Sequence, residues 1–129
     1  FEQLVCDHYR QKGYRVQTTS ASNDYGIDVF AEKKGEKIAV QVKMYGGSTR
    51  KVNRQTMMEL YGAAAYFDCT KAVLATDGEV LTDAKEVAHK LGIDILFIQP
   101  DRKISMPSAS SAEWRLIRIM QNARHRVLY

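Results

Sequence analysis

Three polar side chains interrupt two otherwise apolar runs: Asp28 within residues 26–32, and Gln41 and Lys43 within residues 37–43. Both runs read as strands, and Lys33-Lys34-Gly35-Glu36 between them is a tight-hairpin signal. With Lys34 and Gly35 at the centre of the turn, Asp28 falls opposite Gln41 and Gly26 opposite Lys43. Side chains alternate along a strand, so Asp28, Gln41 and Lys43 are expected on one face. Ile27, Val29, Val40 and Val42 are expected on the other, packed into a core. A carboxylate, an amide and an ammonium then converge where polar groups need partners or a purpose. Two chemistries fit. One is structural, an Asp28–Lys43 ion pair with Gln41 adding a hydrogen bond. The other is a divalent-cation site: a carboxylate suits Mg²⁺, which keeps several waters and takes phosphate oxygens into its shell. Such a cation lowers the pKa of its water, and a nearby ammonium can orient that water or offset charge on a phosphate. Spacing alone leaves both open.

The elements around the hairpin can be read from periodicity and punctuation. Phe1, Leu4, Val5 and Tyr9 form a helical stripe over residues 1–12, stopped at Gly13. Residues 14–19 read as a strand and 20–25 as a turn. After the hairpin comes a loop with Gly46 and Gly47. Ser48 or Thr49 is expected to cap a helix over about residues 51–67. Residues 71–76 read as a buried strand, 81–91 as a helix closed by Gly92, and 94–99 as a strand. The fold class is therefore α/β, an αβββαβαβ order whose antiparallel meander and βαβ units make a mixed sheet flanked by helices. Residues 1–99 form this core, 100–110 a linker and 111–129 a basic amphipathic helix.

Composition bounds the function more loosely. A chain of 129 residues with 45% apolar and 26% charged side chains is expected to be one globular domain. No apolar run is long enough to span a bilayer. The formal charge of +4 permits a polyanionic partner without requiring one. Cys6 and Cys69 lack the spacing of a disulfide framework or a zinc site, which suggests a reduced, intracellular protein. The chain begins at Phe1, so it is read as a fragment that a further domain could adjoin.

Phe1-Glu2, Gly13-Tyr14, Asp24-Tyr-Gly-Ile-Asp28-Val and Gln41-Val-Lys43 together resemble the Mrr-like branch of the PD-(D/E)XK nucleases, over about residues 1–99. That branch carries glutamine where the general motif has its second acid. The resemblance implies a restriction-endonuclease-like fold with Asp28 as principal metal ligand, Gln41 in the second ligand position and Lys43 as the catalytic lysine. It further implies the backbone carbonyl of Val42 as a ligand and Glu2 as a helix-borne carboxylate joining the site. A neutral Gln41 weakens metal binding, so Glu2 is expected to matter more here. The implied cofactor is Mg²⁺, with Mn²⁺ able to substitute, and the implied partner is DNA. Symmetric double-strand cleavage suits a homodimer, and a specificity domain would lie outside the fragment. A cytoplasmic setting in a prokaryote or virus is expected.

Other residues carry weaker signals. Arg50, Lys51 and Arg54, with Gln55, lead from the glycine loop into a helix and are expected to contact the DNA backbone; the alternative is a solvated loop with a routine cap. Asp24 either bonds its own backbone in a turn or adds a metal or water ligand. On the last helix, Arg115, Arg118, Asn122 and Arg126 form a solvated or DNA-tracking face, opposite Trp114, Ile117 and Met120. His8, His89 and His125 lack ligand spacing, and Met57, Met58, Tyr61 and Phe67 read as helix core. The expected function is restriction of foreign or modified DNA. The rivals are a Holliday junction resolvase or repair nuclease of the same fold, and a DNA-binding module without catalysis.

Overall fold

The computed structural model describes residues 1–19, 25–99, 101 and 103–106. Asp24 and the predicted helix over 111–129 lie outside the described residues. The chain runs α1 (Glu2–Gln11), β1 (Arg15–Thr18), β2 (Val29–Lys33), β3 (Glu36–Lys43), α2 (Arg54–Tyr66), β4 (Lys71–Thr76), α3 (Thr82–Leu91), β5 (Asp94–Ile98) and β6 (Ile104–Ser105). The six strands form one sheet in sequence order. The pairs β1–β2, β2–β3 and β5–β6 are antiparallel, and β3–β4 and β4–β5 are parallel. The predicted mixed sheet with helices on both faces is the observed architecture.

Alternation along β3 divides the core in two. Ile38 and Val40 join Val29, Ala31, Val73, Ala75 and Leu96 under α1, whose Val5, Cys6 and Tyr9 are buried against them. Ala39 points the other way, into a cluster with Leu74 and Ile95 that Met57, Leu60, Ala63 and Ala64 of α2 and Ala84 and Ala88 of α3 cover. Gln41 and Lys43 follow Ala39 at even spacing and so belong to the α2/α3 face.

Two boundaries differ from the sequence reading. Helix α2 starts at Arg54, capped by Asn53, whose side chain accepts from Thr56 N–H at 3.0 Å. Neither Ser48 nor Thr49 is the cap; Ser48 instead closes a turn, its hydroxyl donating to the Tyr45 carbonyl at 2.7 Å. The physical reason is Val52, which is buried and bridges Val80 in parallel. Its N–H donates to Glu79 O at 2.9 Å and its carbonyl accepts from Leu81 N–H at 3.0 Å, so the chain must stay extended through that residue. Second, the stretch expected as a linker over 100–110 contributes β6, which extends the sheet beyond β5.

Gly62 sits in the middle of α2, exposed, with nothing within 4 Å of a Cβ built on it. A glycine inside a helix costs about 0.5–1 kcal/mol relative to alanine, and no packing in the fold asks for it. Gly62→Ala is therefore expected to raise unfolding free energy by about 0.5–1 kcal/mol in denaturant titration. Leu60→Ala, which empties a buried position two residues away on the same helix, should lower it by about 2–5 kcal/mol.

Candidate active site

The site forms where the hairpin opens. From Val29↔Val40 to Lys33↔Glu36 the strands pair in the register read from the turn. One residue earlier the pattern slips. The N–H of Asp28 also donates to the Val40 carbonyl, at 2.9 Å, so Asp28 and Val29 together face one residue, the two-against-one count of a β-bulge. The Asp28 carbonyl turns toward β1 and accepts from Thr19 N–H at 3.1 Å, while the Thr19 hydroxyl donates to Ile27 O at 2.6 Å.

The slip corrects two expectations. Ile27 does not share a face with Val29; it is buried in the α2/α3 cluster. Gly26 does not lie against Lys43 but over Gln41: at a φ of +86° that favours glycine, a Cβ built there would sit 2.8 Å from Gln41 Nε2. An inserted residue reverses the alternation of everything before it, which no reading of the hairpin turn alone reveals.

The bulge also determines what Asp28 does. With β2 peeling away, Val42 N–H takes the Asp28 carboxylate, at 2.7 Å to Oδ2, in place of a main-chain acceptor from that strand. The other oxygen, Oδ1, has no hydrogen-bond donor among the described residues. Burial raises the Asp28 pKa above the ordinary carboxylate range, and the Val42 hydrogen bond and the Lys43 ammonium oppose that shift without cancelling it. Gln41, 7% exposed, holds its Oε1 buried with no donor among the described residues. Lys43, half-buried at the end of β3, is steadied from β4: its carbonyl accepts from the fully buried Thr76 hydroxyl at 2.6 Å. The structure thus brings Asp28, Gln41, Val42 and Lys43 together.

The remaining predicted residues are placed differently. Glu2 is exposed in the first turn of α1, the helix that covers the opposite face of the sheet from Gln41 and Lys43. It makes no hydrogen bond or ion pair with that group among the described residues, where no three His, Cys, Asp or Glu side chains gather as a metal cluster. Each predicted DNA-contacting cation already has a partner. Arg50 lies 4.3 Å over the Tyr45 ring and donates to its hydroxyl at 3.1 Å. Lys51 pairs with Glu79 at 3.3 Å and Arg54 with Asp83 at 3.2 Å. Gln55 donates to Glu59 at 3.0 Å on the exposed side of α2. These contacts are solvent-exposed and individually weak, so a phosphate could compete for each cation.

Sequence reading missed the support from the turn after β4. Asp77 Oδ1 accepts from both Tyr45 N–H and Gly46 N–H at 2.8 Å, and a Cβ on Gly46 would collide with the same carboxylate. Gly78 N–H donates to Thr76 Oγ1 at 3.0 Å. Thr76-Asp77-Gly78 therefore clamps the chain leaving Lys43. The available signal was a polar turn directly after a buried strand; parallel pairing of Lys43 with Thr76 gives it meaning.

Comparison with known proteins bears on the family and the fold. A model of the Mrr-type catalytic restriction endonuclease domain matches residues 1–103. An uncharacterised protein of Sinorhizobium fredii, y4cE, is 34% identical over a stretch covering 67% of this chain and 25% of that protein. The chain thus spans about a quarter of that curated relative. Among solved structures, the protein of unknown function AF1548 superposes with a TM-score of 0.61 at 20% identity, over 73% of this chain and 54% of that one. The restriction endonuclease MspJI, solved with a 27-mer oligonucleotide, gives 0.53 at 15% identity, over 78% and 24%. The Holliday junction resolvase Hjc of Archaeoglobus fulgidus gives 0.50 at 15% identity, over 83% and 74%. At these identities the structures share the fold. The family match over residues 1–103 takes in α1 through β5 and the hairpin between β2 and β3, and the chain belongs to the Mrr-type restriction endonuclease family.

Proposed function

We propose that this domain is a divalent-cation-dependent endonuclease that hydrolyses phosphodiester bonds in DNA, acting in restriction of foreign or modified DNA. The observation that carries the reading is the gathering of an open Asp28 oxygen, an orphaned buried Gln41 oxygen and the Lys43 ammonium. A purely structural ion pair would leave Gln41 Oε1 unexplained, since a buried acceptor without a donor is costly. A carboxylate oxygen and an amide oxygen are both hard donors that suit Mg²⁺, with Mn²⁺ able to replace it. Asp28 and Gln41 would hold the cation, with the Val42 carbonyl as a further ligand and Glu2 as an outer acid acting through water.

When bound, the cation supplies Lewis acidity toward phosphate oxygens and makes a coordinated water easier to deprotonate. The protein supplies position. Asp28 is locked by the Val42 hydrogen bond, so its open oxygen needs no reorganisation. Lys43 brings positive charge to where charge grows on the scissile phosphate and can orient the attacking water. Thr76 and Asp77 keep the Lys43–Gly46 backbone in place while a substrate passes. Arg50, Lys51 and Arg54 line the exit from β3 and would exchange their exposed partners for backbone phosphates. A homodimer would offer two such sites to the two strands of a duplex, and target choice would rest with a specificity domain elsewhere in the full protein.

The decisive assay is cleavage of supercoiled plasmid with and without Mg²⁺. Nicking or linearisation should require the metal and fall by about 100-fold or more in Asp28→Ala and in Lys43→Ala. A wild type that binds DNA yet leaves plain, methylated and branched substrates intact would defeat the nuclease reading; a marked preference for branched DNA would recast it as a junction resolvase. Glu2→Gln should raise the Mg²⁺ concentration needed for half-maximal cleavage, and an unchanged requirement would remove Glu2 from the site.

The pKa of Asp28 predicts a second, activity-independent signature. Its folded value is raised, so the ionised carboxylate burdens the fold above that pKa and the burden lifts as pH falls through it. Asp28→Asn should therefore match or exceed the wild type in thermal stability at neutral pH, with the gap closing in acid. Mg²⁺ should stabilise the wild type by about 2.7 kcal/mol at a hundred times its Kd. That increment should weaken as pH drops through the raised Asp28 pKa and be absent in Asp28→Asn.

A further inference from the structure

A second feature lies next to the hairpin and is used by none of the chemistry above. Tyr25, Glu59, Gly62, Ala63 and Tyr66 line an open pocket of about 430 Å³, within the ~300–1,000 Å³ range of small-ligand sites. Its walls are aromatic and oddly wet: Tyr25 is 68% exposed and Tyr66 67% exposed, their rings edge-to-face with centroids 5.1 Å apart. Phe67 backs both rings, at 5.0 Å from Tyr66 and 6.0 Å from Tyr25, and is itself braced by Phe30 at 5.3 Å. The exposed pair therefore stands on a buttress of ring contacts that runs back to β2.

Two local sacrifices maintain the pocket. Tyr25 holds a φ of +52°, a left-handed conformation that bulky side chains avoid. Gly62 forms the floor, in a helix where alanine would be preferred and where nothing would meet its Cβ. Neither choice serves the core, and each keeps an aromatic-walled space open. The rim carries the carboxylate of Glu59, whose Oε1 accepts from Gln55. Among the described residues no cation lines the pocket. A phosphate would be repelled here, whereas a flat ring that offers an amino group to a carboxylate would be held. Tyr25 also connects directly to the site, since its neighbour Gly26 sits on Gln41 and Asp28 follows two residues later.

We propose that this pocket receives an unpaired nucleobase of the DNA, stacked against Tyr66 and Tyr25, with the exocyclic amino group of cytosine, adenine or guanine donating to Glu59. The inference rests on the nuclease reading for its substrate. Stacking on the two tyrosines would take one nucleotide out of the helix beside the phosphate presented to Asp28. Thymine, which has no exocyclic amino group, would be held less well.

The test is equilibrium binding of short fluorescent single strands with metal withheld, so that nothing is cut. The probes are oligodeoxycytidine, oligothymidine and an abasic strand of the same length. The wild type should bind oligodeoxycytidine about tenfold or more tighter than the abasic strand, as expected for base–aromatic stacking. Tyr66→Ala and Gly62→Leu should erase that ratio while leaving the abasic strand's affinity in place, and Gly62→Leu should melt no lower than the wild type. Glu59→Gln should reduce the preference for cytidine over thymidine. Equal affinity of the wild type for intact and abasic strands, with plasmid cleavage present, would overturn the pocket and leave the nuclease standing. A wild type that neither binds nor cleaves DNA would overturn both. Variants that dissociate a dimer in sedimentation but keep the base preference would overturn it in favour of a self-contact.

Discussion

The hydrogen bond from Val42 N–H to the Asp28 carboxylate is the contact on which the rest of the site depends. It exists because β2 stops pairing with β3 in register at Val29, where the bulge places two residues against Val40. Had the ladder continued, an N–H of β3 would have met a carbonyl and the Asp28 side chain would have had no backbone partner. With the ladder broken, a charged side chain stands in for a main-chain acceptor, which makes a stronger bond and freezes the carboxylate at the same time. One oxygen is spent on the fold and the other is left to chemistry. Burial, the larger influence on the acid, keeps this arrangement unfavourable without a positive partner.

Positive charge then arrives from a strand that knows nothing of the hairpin turn. Lys43 is carried past the bulge on β3, and its backbone is secured from the far side by β4 through Thr76 and the Asp77 turn. A β-sheet with mixed pairing suits this division. The antiparallel hairpin delivers Asp28 and Gln41 close together, and the parallel β3–β4 pair ends in loops on one edge, where helix starts and glycines can approach a ligand. Gln41 shows how little room is left: it is buried, covered by Gly26, and one of its amide atoms has no donor among the described residues. A neutral amide asks less of the buried strand than a second carboxylate would, which is a physical reason for glutamine beside an already burdened Asp28.

Charge elsewhere on the surface is mostly tied up. Lys51, Arg54 and Arg50 have acidic or aromatic partners within reach, all exposed. Such pairs contribute little stability, yet they hold side chains in place near the site at small cost in affinity for a stronger anion. The aromatic corner at Tyr25 and Tyr66 is the opposite case, apolar surface kept in water by a strained residue and a helical glycine.

Local physics made much of this legible without coordinates. Lys34-Gly35 specified the hairpin and its register from Val29 to Val40, because turn chemistry and pleat alternation are both short-range. Apolar periodicity set β4 to the residue and all three described helices to within a few. Alternation and a short family motif both name Asp28, Gln41 and Lys43 as a group, but the bulge sets Asp28 against Val40 and not opposite Gln41. What only the tertiary structure decided were matters of competition between distant partners. The bulge, in which the Asp28 N–H reaches Val40 while its carbonyl stays with Thr19, goes with Ile27 packing on the other face. Val80 claims Val52 and delays α2, and β5 recruits β6 from what reads as linker. The packing of α1 on the far side of the sheet sets where Glu2 can stand. A hydrogen-bonding group takes the best acceptor in space, and the sequence names only the candidates that lie nearby along the chain.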